Sequence, residues 1–312
     1  MVLARPWVAG IYSREPFADR VIPYTARKGA RDPGGKWRLA KSLKAERFDC
    51  AILLQNAFEA ALIAWLARIP RRIGYGRDGR GLLLTDAIPV PLPGEIERHE
   101  SHYYLELLRR AGIIDSVERV EAIRLDGAKA AAECGRKRFD EAGLAGPVIG
   151  VSPGAAFGSA KRWYPERFAE TAARLAGSES MDVALFGSAA KQNLCESVAG
   201  QIREAGAGVH NFAGRTALGE FIEMAAACRI FLTNDSGAMH IASALGVPTV
   251  AVFGATDHAA TGPTGPLSRV VLEPVDCAPC KLRECPIDHR CMTRVSVDRV
   301  LDEVQALLGK EV

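Results

Sequence analysis

Ile230-Phe-Leu-Thr-Asn-Asp-Ser-Gly-Ala-Met-His-Ile-Ala-Ser-Ala-Leu-Gly-Val-Pro-Thr-Val-Ala-Val-Phe-Gly254 decides the fold. Ile230–Thr233 is an unbroken apolar run, as in a strand covered on both faces. It enters a short polar loop, and a helix opens at Ser236 and Gly237. That helix runs to Leu245, stops at Gly246, and a second buried strand follows at Thr249–Phe253. Strand, loop, helix and strand in this order form a unit of a parallel sheet. Gly237 lets a ligand approach the backbone, and a helix N-terminus offers unpaired N–H groups to an anion. Alone this signal is weak, because many α/β proteins carry it without a ligand.

Working outward, the same rhythm fills the C-terminal half. Strands are expected at Val148–Val151 and Asp182–Phe186, and helices at Pro165–Leu175, Ala189–Glu204 and Leu218–Cys228. Ser296 caps a last helix whose Val297, Val300, Leu301, Val304, Leu307 and Leu308 form a one-sided stripe. A second loop of small residues, Ser152-Pro-Gly-Ala-Ala-Phe-Gly-Ser-Ala-Lys-Arg-Trp163, also follows a strand. It could wrap a phosphate, with Lys161 either neutralising it or simply standing on the surface. Two such loops at the C-terminal ends of strands point to one crevice.

The N-terminal half is less regular. Strands are expected at Met1–Ala4, Val21–Pro23 and Cys50–Leu54, and helices at Lys36–Glu46, Phe58–Ala67, Glu97–Ala111 and Lys129–Ala142. Phe58–Ala67 is apolar nearly all round and reads as a buried helix. A Gly- and Pro-marked break at 143–147 suggests two Rossmann-like domains, 1–145 and 146–312, which a chain of 312 residues can accommodate.

With 48% hydrophobic and 25% charged residues, the composition is that of a folded globular protein rather than a disordered one. Its apolar runs are too short to cross a bilayer. Met1–Trp7, containing Arg5 and Pro6, does not read as a signal peptide, so a cytoplasmic location is expected. The net charge of +3 is uneven: residues 1–80 carry 16 Lys and Arg against 7 Asp and Glu, or +9, leaving −6 for the rest. A basic front suggests an anionic partner. A nucleic acid is disfavoured, since no aromatic platform or binding motif accompanies the charge.

Eight cysteines are present. Cys50, Cys134, Cys195 and Cys228 are scattered and read as small buried apolar residues. Cys277, Cys280, Cys285 and Cys291 crowd together around His289. Their spacing matches no common zinc motif, and a structural zinc, labile thiols or a disulfide, and plain packing all stay open. A catalytic cysteine is disfavoured, as no base is paired with any of the four.

Several stretches together resemble glycosyltransferase family nine: Ser152-Pro-Gly-Ala with Lys161-Arg-Trp163 and Pro165, and Asn234-Asp-Ser-Gly with His240, Ala244 and Pro248. Gln55-Asn-Ala-Phe58, Ile69–Tyr75 and the tail from Cys280 to Met292 agree with it. The resemblance implies a GT-B architecture, two Rossmann-like domains facing a cleft, and inverting transfer of heptose from ADP-heptose to the heptosyl-Kdo2-lipid A core of lipopolysaccharide. It implies no required cofactor, and action at the cytoplasmic face of the inner membrane. Donor-binding residues would be Ser152, Gly154, Lys161, Gly187, Thr216, Asp235, Ser236, Gly237 and His240, with Lys161 stabilising the leaving diphosphate. The adenosine would lie against Phe186–Ser188 and Gly214–Thr216. A family carboxylate that grips the ribose has no match here, Ala189 and Ala190 standing in its region. Arg68, Arg71, Arg72, Arg77 and Arg80 form a basic turn that either meets the phosphates and acidic sugars of the acceptor or simply solubilises the surface. Asn56 and Phe58 are candidates to line the acceptor cleft, and Glu59 either joins them or, more in keeping with its place, caps or solubilises its helix. The family begins with a strand, a Gly-Asp loop bearing the general base, and a helix. This sequence starts at what resembles the second strand, so the first strand–helix unit is expected to be missing and the base to be unknown. Two rival readings follow: a relative using another nucleotide sugar, and an inert nucleotide-sugar-binding protein.

Overall fold

A computed structural model describes residues 1–27 and 31–309. The chain forms two compact units, one of Met1–Ser13 with Phe17–Val120, the other of Arg14–Pro16 with the residues from Glu121 onward.

The second unit holds the site. Its elements are α5 (Ala128–Glu141), β6 (Val148–Ser152), α6 (Pro165–Glu179), β7 (Asp182–Leu185), α7 (Gln192–Glu204), β8 (Val209–Asn211) and α8 (Leu218–Ala226). Then come β9 (Ile230–Asn234), α9 (Gly237–Ala244), β10 (Thr249–Val252), α10 (His258–Thr261), β11 (Ser268–Val271), α11 (Arg290–Thr293) and α12 (Val297–Leu308). The strands form one parallel sheet in the order β11-β10-β9-β6-β7-β8. Every residue of β6, β9 and β10 is buried, which explains their continuous apolar reading. Phe168 and Leu175 of α6, Val198 and Ile202 of α7, and the α12 stripe pack on one core with Ile149, Val151 and Leu232. Ser296 caps α12 by accepting from the Arg299 N–H at 3.2 Å.

The strand order fixes where a ligand can enter. From β6 the chain builds outward through β7 and β8; it then returns to place β9 on the other side of β6. Strand order therefore reverses between β6 and β9, where Ser152 stands in register with Thr233. Loops leaving neighbouring strands in opposite directions open a crevice at their C-terminal ends.

The units divide at residue 120, earlier than the Gly- and Pro-marked break suggested. Helix α5 belongs with the second unit because it packs against α8. Gly135 makes this approach possible: a Cβ there would stand 2.0 Å from the Glu223 carbonyl oxygen. Arg138 adds hydrogen bonds to Glu220 at 3.0 Å and Glu223 at 2.7 Å.

The first unit contains β1 (Val2–Ala4), α1 (Pro6–Tyr12), β2 (Val21–Pro23), α2 (Pro33–Ala45), β3 (Cys50–Ile52), α3 (Phe58–Leu66), β4 (Arg71–Tyr75), β5 (Asp86–Ile88) and α4 (Glu100–Arg110). Its strands are parallel but fall into two sheets, β1-β2 and β3-β4-β5. Helix α3 buries Ala61, Ile63 and Ala64 but exposes Phe58 and Trp65 by about half, so it is one-sided rather than buried all round.

Among the described residues β1 pairs only with β2, and β3 only with β4, so each keeps one edge without ladder partners, and Leu3 and Ile52 are exposed. Amides of Val2–Ala4 and Cys50–Ile52 are therefore expected to exchange with deuterium well before those of β6 and β9. Equal protection in both units, read by mass spectrometry, would contradict this two-sheet arrangement.

Glu106 is the polar anchor of α4. Nearly buried, it accepts from Arg109 at 2.7 and 2.8 Å and from Arg110 at 2.6 Å. The Arg109 hydrogen bonds, helped by Arg110, pull its carboxyl from 4.5 down to about 2. A depressed folded-state pKa contributes stability above the unfolded value, lost as pH falls through the folded one. Glu106→Gln should lower Tm by about a few degrees at neutral pH, and the gap from the parent should close as pH drops from 4.5 toward 2. A gap independent of pH would show that the charge is not what Glu106 contributes.

Candidate functional site

The loops leaving β6 and β9 are stitched together by one side chain. Asn234 ends β9 and is fully buried. Its amide donates to the Pro153 carbonyl at 2.8 Å, and its Oδ1 accepts from the Trp163 N–H at 2.8 Å. Both ends of the β6 loop are thus held to the end of β9. Trp163 is itself buried and donates from its indole to the Val295 carbonyl at 3.1 Å.

This stitching brings Lys161 onto Asp235. The Lys161 ammonium donates to Asp235 Oδ2 at 2.5 Å, and the Thr256 hydroxyl donates to the same oxygen at 2.6 Å. Asp235 is buried and Lys161 mostly so, which puts a fixed ion pair at the mouth of the crevice. The Lys161 ammonium also lies 5.2 Å from the Phe157 ring centroid.

Ser236 is the extended residue before α9. Its hydroxyl lies 3.1 Å from that of Thr233 and makes no cap bond to the helix. The first N–H groups of α9 are therefore not closed off by their own N-cap. Gly237 is exposed, and a Cβ there would meet nothing within 4 Å. His240, one turn on, is exposed as well. Ammonium, helix N-terminus and open space at Gly237 together make a place for an anion.

Gly187 and Gly214 stand in the loops that leave the next strands of the sheet, β7 and β8. Gly214 donates to the Gly187 carbonyl at 2.8 Å and adopts φ of 73°, left-handed backbone that glycine takes without strain. Thr216 is half-buried just beyond. Phe186 faces the core, stacked on Phe212 and Phe231, so only its backbone is available to a ligand.

One residue here escaped the sequence reading. The stem of half-buried Lys191 lies over both loops: a Cβ on Gly154 would be 3.2 Å from its Cγ, and one on Gly187 3.2 Å from its Cβ. Among the described residues its ammonium has no ion-pair partner. The available signal was the pair of glycines, which leave room for a long side chain.

On the first unit the expected acceptor residues separate. Arg71 and Arg72 open β4. Arg71 is bound to Asp86 at 3.0 Å, and Arg72 donates to the Leu83 carbonyl at 2.7 Å. Arg77 lies past the other end of that five-residue strand and pairs with Asp78 at 3.2 Å. Asn56 follows β3 on the same end, where it donates to the Tyr103 hydroxyl at 3.0 Å and accepts from Arg80 at 3.0 Å. Fully buried Arg80 also donates to the Tyr75 carbonyl at 2.8 Å. Asn56 and Arg77 thus share an end of the sheet, whereas Arg71, Arg72 and Arg80 hold the β4 region together. Glu59 accepts from the Tyr24 hydroxyl at 3.1 Å and lies 3.6 Å from both Arg5 and Lys36. It is a partner for buried cations rather than a helix cap.

Cys277, Cys280, Cys285 and Cys291 line one pocket with His289. All eight cysteines are free thiols. Burial, and then the neighbouring thiols, push Cys291 up to about 11. Among the described residues, no group of three or more His, Cys, Asp and Glu is arranged to hold a metal ion. Nor is any described helix long and apolar enough to cross a membrane.

Comparison with known proteins gives this geometry its context. Residues 36–290 match the model of glycosyltransferase family 9 (heptosyltransferase). The chain is 32% identical to lipopolysaccharide heptosyltransferase 2 of Salmonella typhimurium over 318 residues, covering 99% of this chain and 90% of that protein. The same enzyme of Escherichia coli K12 is also 32% identical, with the same coverage of both chains. The solved structure of E. coli ADP-heptose lipopolysaccharide heptosyltransferase II superposes with a TM-score of 0.81 at 31% identity, over 98% of this chain and 88% of that one. The fold is accordingly of the GT-B type, and the chain belongs to glycosyltransferase family 9, the heptosyltransferases.

Proposed function

We propose that the second unit binds ADP-heptose at the crevice between β6 and β9, and that the protein transfers the heptose to the heptosyl-Kdo2-lipid A inner core of lipopolysaccharide. The observation that carries this reading is the meeting of Lys161, Asp235 and the uncapped start of α9 where strand order reverses. Departure of ADP leaves negative charge on the diphosphate. A preorganised ammonium and helix N-terminus stabilise that charge with no metal. In this reading Ser152 and Gly154 form the floor of the donor loop. Ser236 and Gly237 bind the diphosphate, with His240 at its flank. Gly187, Thr216 and Lys191 border the nucleoside end. Asn56 and Arg77 are proposed to meet the acceptor, whose lipid would bring the protein to the inner face of the inner membrane. Arg71 and Arg72 are left to structure.

The acceptor hydroxyl must also lose a proton to a base. Asp235 is not free for that task, being engaged by both Lys161 and Thr256. A second reading, a protein that binds the nucleotide sugar without transferring it, is favoured by the split sheet of the first unit. An assay with ADP-heptose and a heptosyl-Kdo2-lipid A acceptor separates the two. Acceptor gaining one heptose supports transfer; donor binding without product supports the second reading.

Donor recognition is tested by calorimetry. Lys161→Ala should weaken ADP binding by about 10- to 100-fold, the usual loss for a charge-assisted hydrogen bond. Unchanged affinity, or tighter binding of UDP than ADP, would overturn the donor assignment. If the site works without a metal, treatment with a chelator should leave ADP affinity as it was. A chelator-induced loss that zinc restores would instead give the four-thiol pocket a metal on which the donor site depends.

A further inference from the structure

The loop between β11 and α11 reaches both sides of the Lys161–Asp235 pair. On the lysine side, the Arg283 carbonyl accepts from the Ala160 N–H at 3.0 Å, and His289 Nε2 donates to the Ala160 carbonyl at 3.1 Å. Ala160, immediately before Lys161, is thus held at both its backbone groups. On the aspartate side, the Lys281 N–H donates to the Ala255 carbonyl at 2.7 Å, one residue before the Thr256 that grips Asp235. The Arg283 guanidinium stands 5.0 Å from the ring of Phe157, the ring that also faces the Lys161 ammonium.

Two further observations mark this contact as built. Gly158 has no room for a side chain, since a Cβ would come 2.0 Å from the Arg283 carbonyl oxygen. Lys281 and His289 both adopt left-handed backbone, with φ of 57° and 54°. Such residues carry a conformational cost that surrounding structure must offset. Lys281 is the residue that reaches Ala255, and His289 shares Ala160 with Arg283. Apart from these bonds the loop is largely exposed and irregular, with Cys277, Cys280, Lys281, Leu282 and Arg283 all in solvent.

We propose that this loop is a brace that positions Lys161 for the donor diphosphate, and that His289 is its positioning side chain. The inference rests on the reading that Lys161 receives the diphosphate. The brace fixes the backbone beside Lys161 on one side and beside Thr256 on the other. Loosening it should therefore cost diphosphate recognition and spare the nucleoside contacts around Gly187 and Thr216.

The experiment compares ADP and adenosine affinities for the full chain and for His289→Ala, His289→Gln and Gly158→Ala, with Lys161→Ala as control and melting temperature monitored throughout. His289→Ala is expected to weaken ADP about 3- to 10-fold, the scale of one neutral hydrogen bond, with adenosine unchanged. His289→Gln, whose amide can donate to the Ala160 carbonyl, should recover most of the loss. Gly158→Ala, which must displace Arg283, should weaken ADP at least as much. If Lys161→Ala weakens ADP while His289→Ala does not, the brace is refuted and the donor assignment stands. Equal loss of ADP and adenosine in His289→Ala, with no recovery in His289→Gln, would also refute it, as general damage to the fold. Unchanged ADP affinity in Lys161→Ala would instead remove the reading beneath it.

Discussion

The buried amide of Asn234 is the interaction on which the site depends. It sits where β9 ends, between two loops that are far apart in sequence, and satisfies one backbone group from each: the Pro153 carbonyl and the Trp163 N–H. A side-chain amide can donate and accept in this way from one rigid plane. Without it both groups would be buried unpaired, at a cost of about 1–3 kcal/mol each. The β6 loop would lose the constraint that keeps Lys161 within reach of Asp235. A sheet-level feature, the reversal of strand order between β6 and β9, is thereby turned into an arrangement of charge.

The ion pair itself is half of a balance. Asp235, itself held by the Thr256 hydroxyl, fixes the Lys161 ammonium so that little side-chain freedom would be lost to an arriving anion. The same carboxylate offsets the lysine's charge while no ligand is present, which limits the cost of holding a mostly buried cation. In the proposed function, an incoming diphosphate would compete for an ammonium already in place, and the N–H groups at the start of α9 would supply the remaining attraction.

Much of the second unit was legible because its strands are covered on both faces and so read as apolar runs between helices. The α12 stripe and its Ser296 cap were equally plain, as were the two loops that converge on the crevice. Strands β5 and β8, of three residues each, were too short to read, and β4 and β11 open on the polar Arg71-Arg72 and Ser268-Arg269. Within β4, Arg71 is paired with Asp86 and Arg72 donates to the Leu83 carbonyl. The basic turn expected there is therefore in part a strand, with Arg71 and Arg72 engaged in these bonds. Helix α5 was assigned to the wrong side of the break because its partner α8 lies some 80 residues on, as the Arg138–Glu220 bond shows. Gly135 in mid-helix, a poor helix former on propensity alone, was the visible sign of that close packing.

A crystal structure of the protein with ADP bound tests the central claim most directly. The account predicts diphosphate oxygens within hydrogen-bonding distance of the Lys161 ammonium and the Gly237 N–H, with the nucleoside running toward Gly187 and Thr216. A nucleotide seated elsewhere in the second unit, or a diphosphate that leaves the Lys161–Asp235 pair untouched and the start of α9 free, would contradict it.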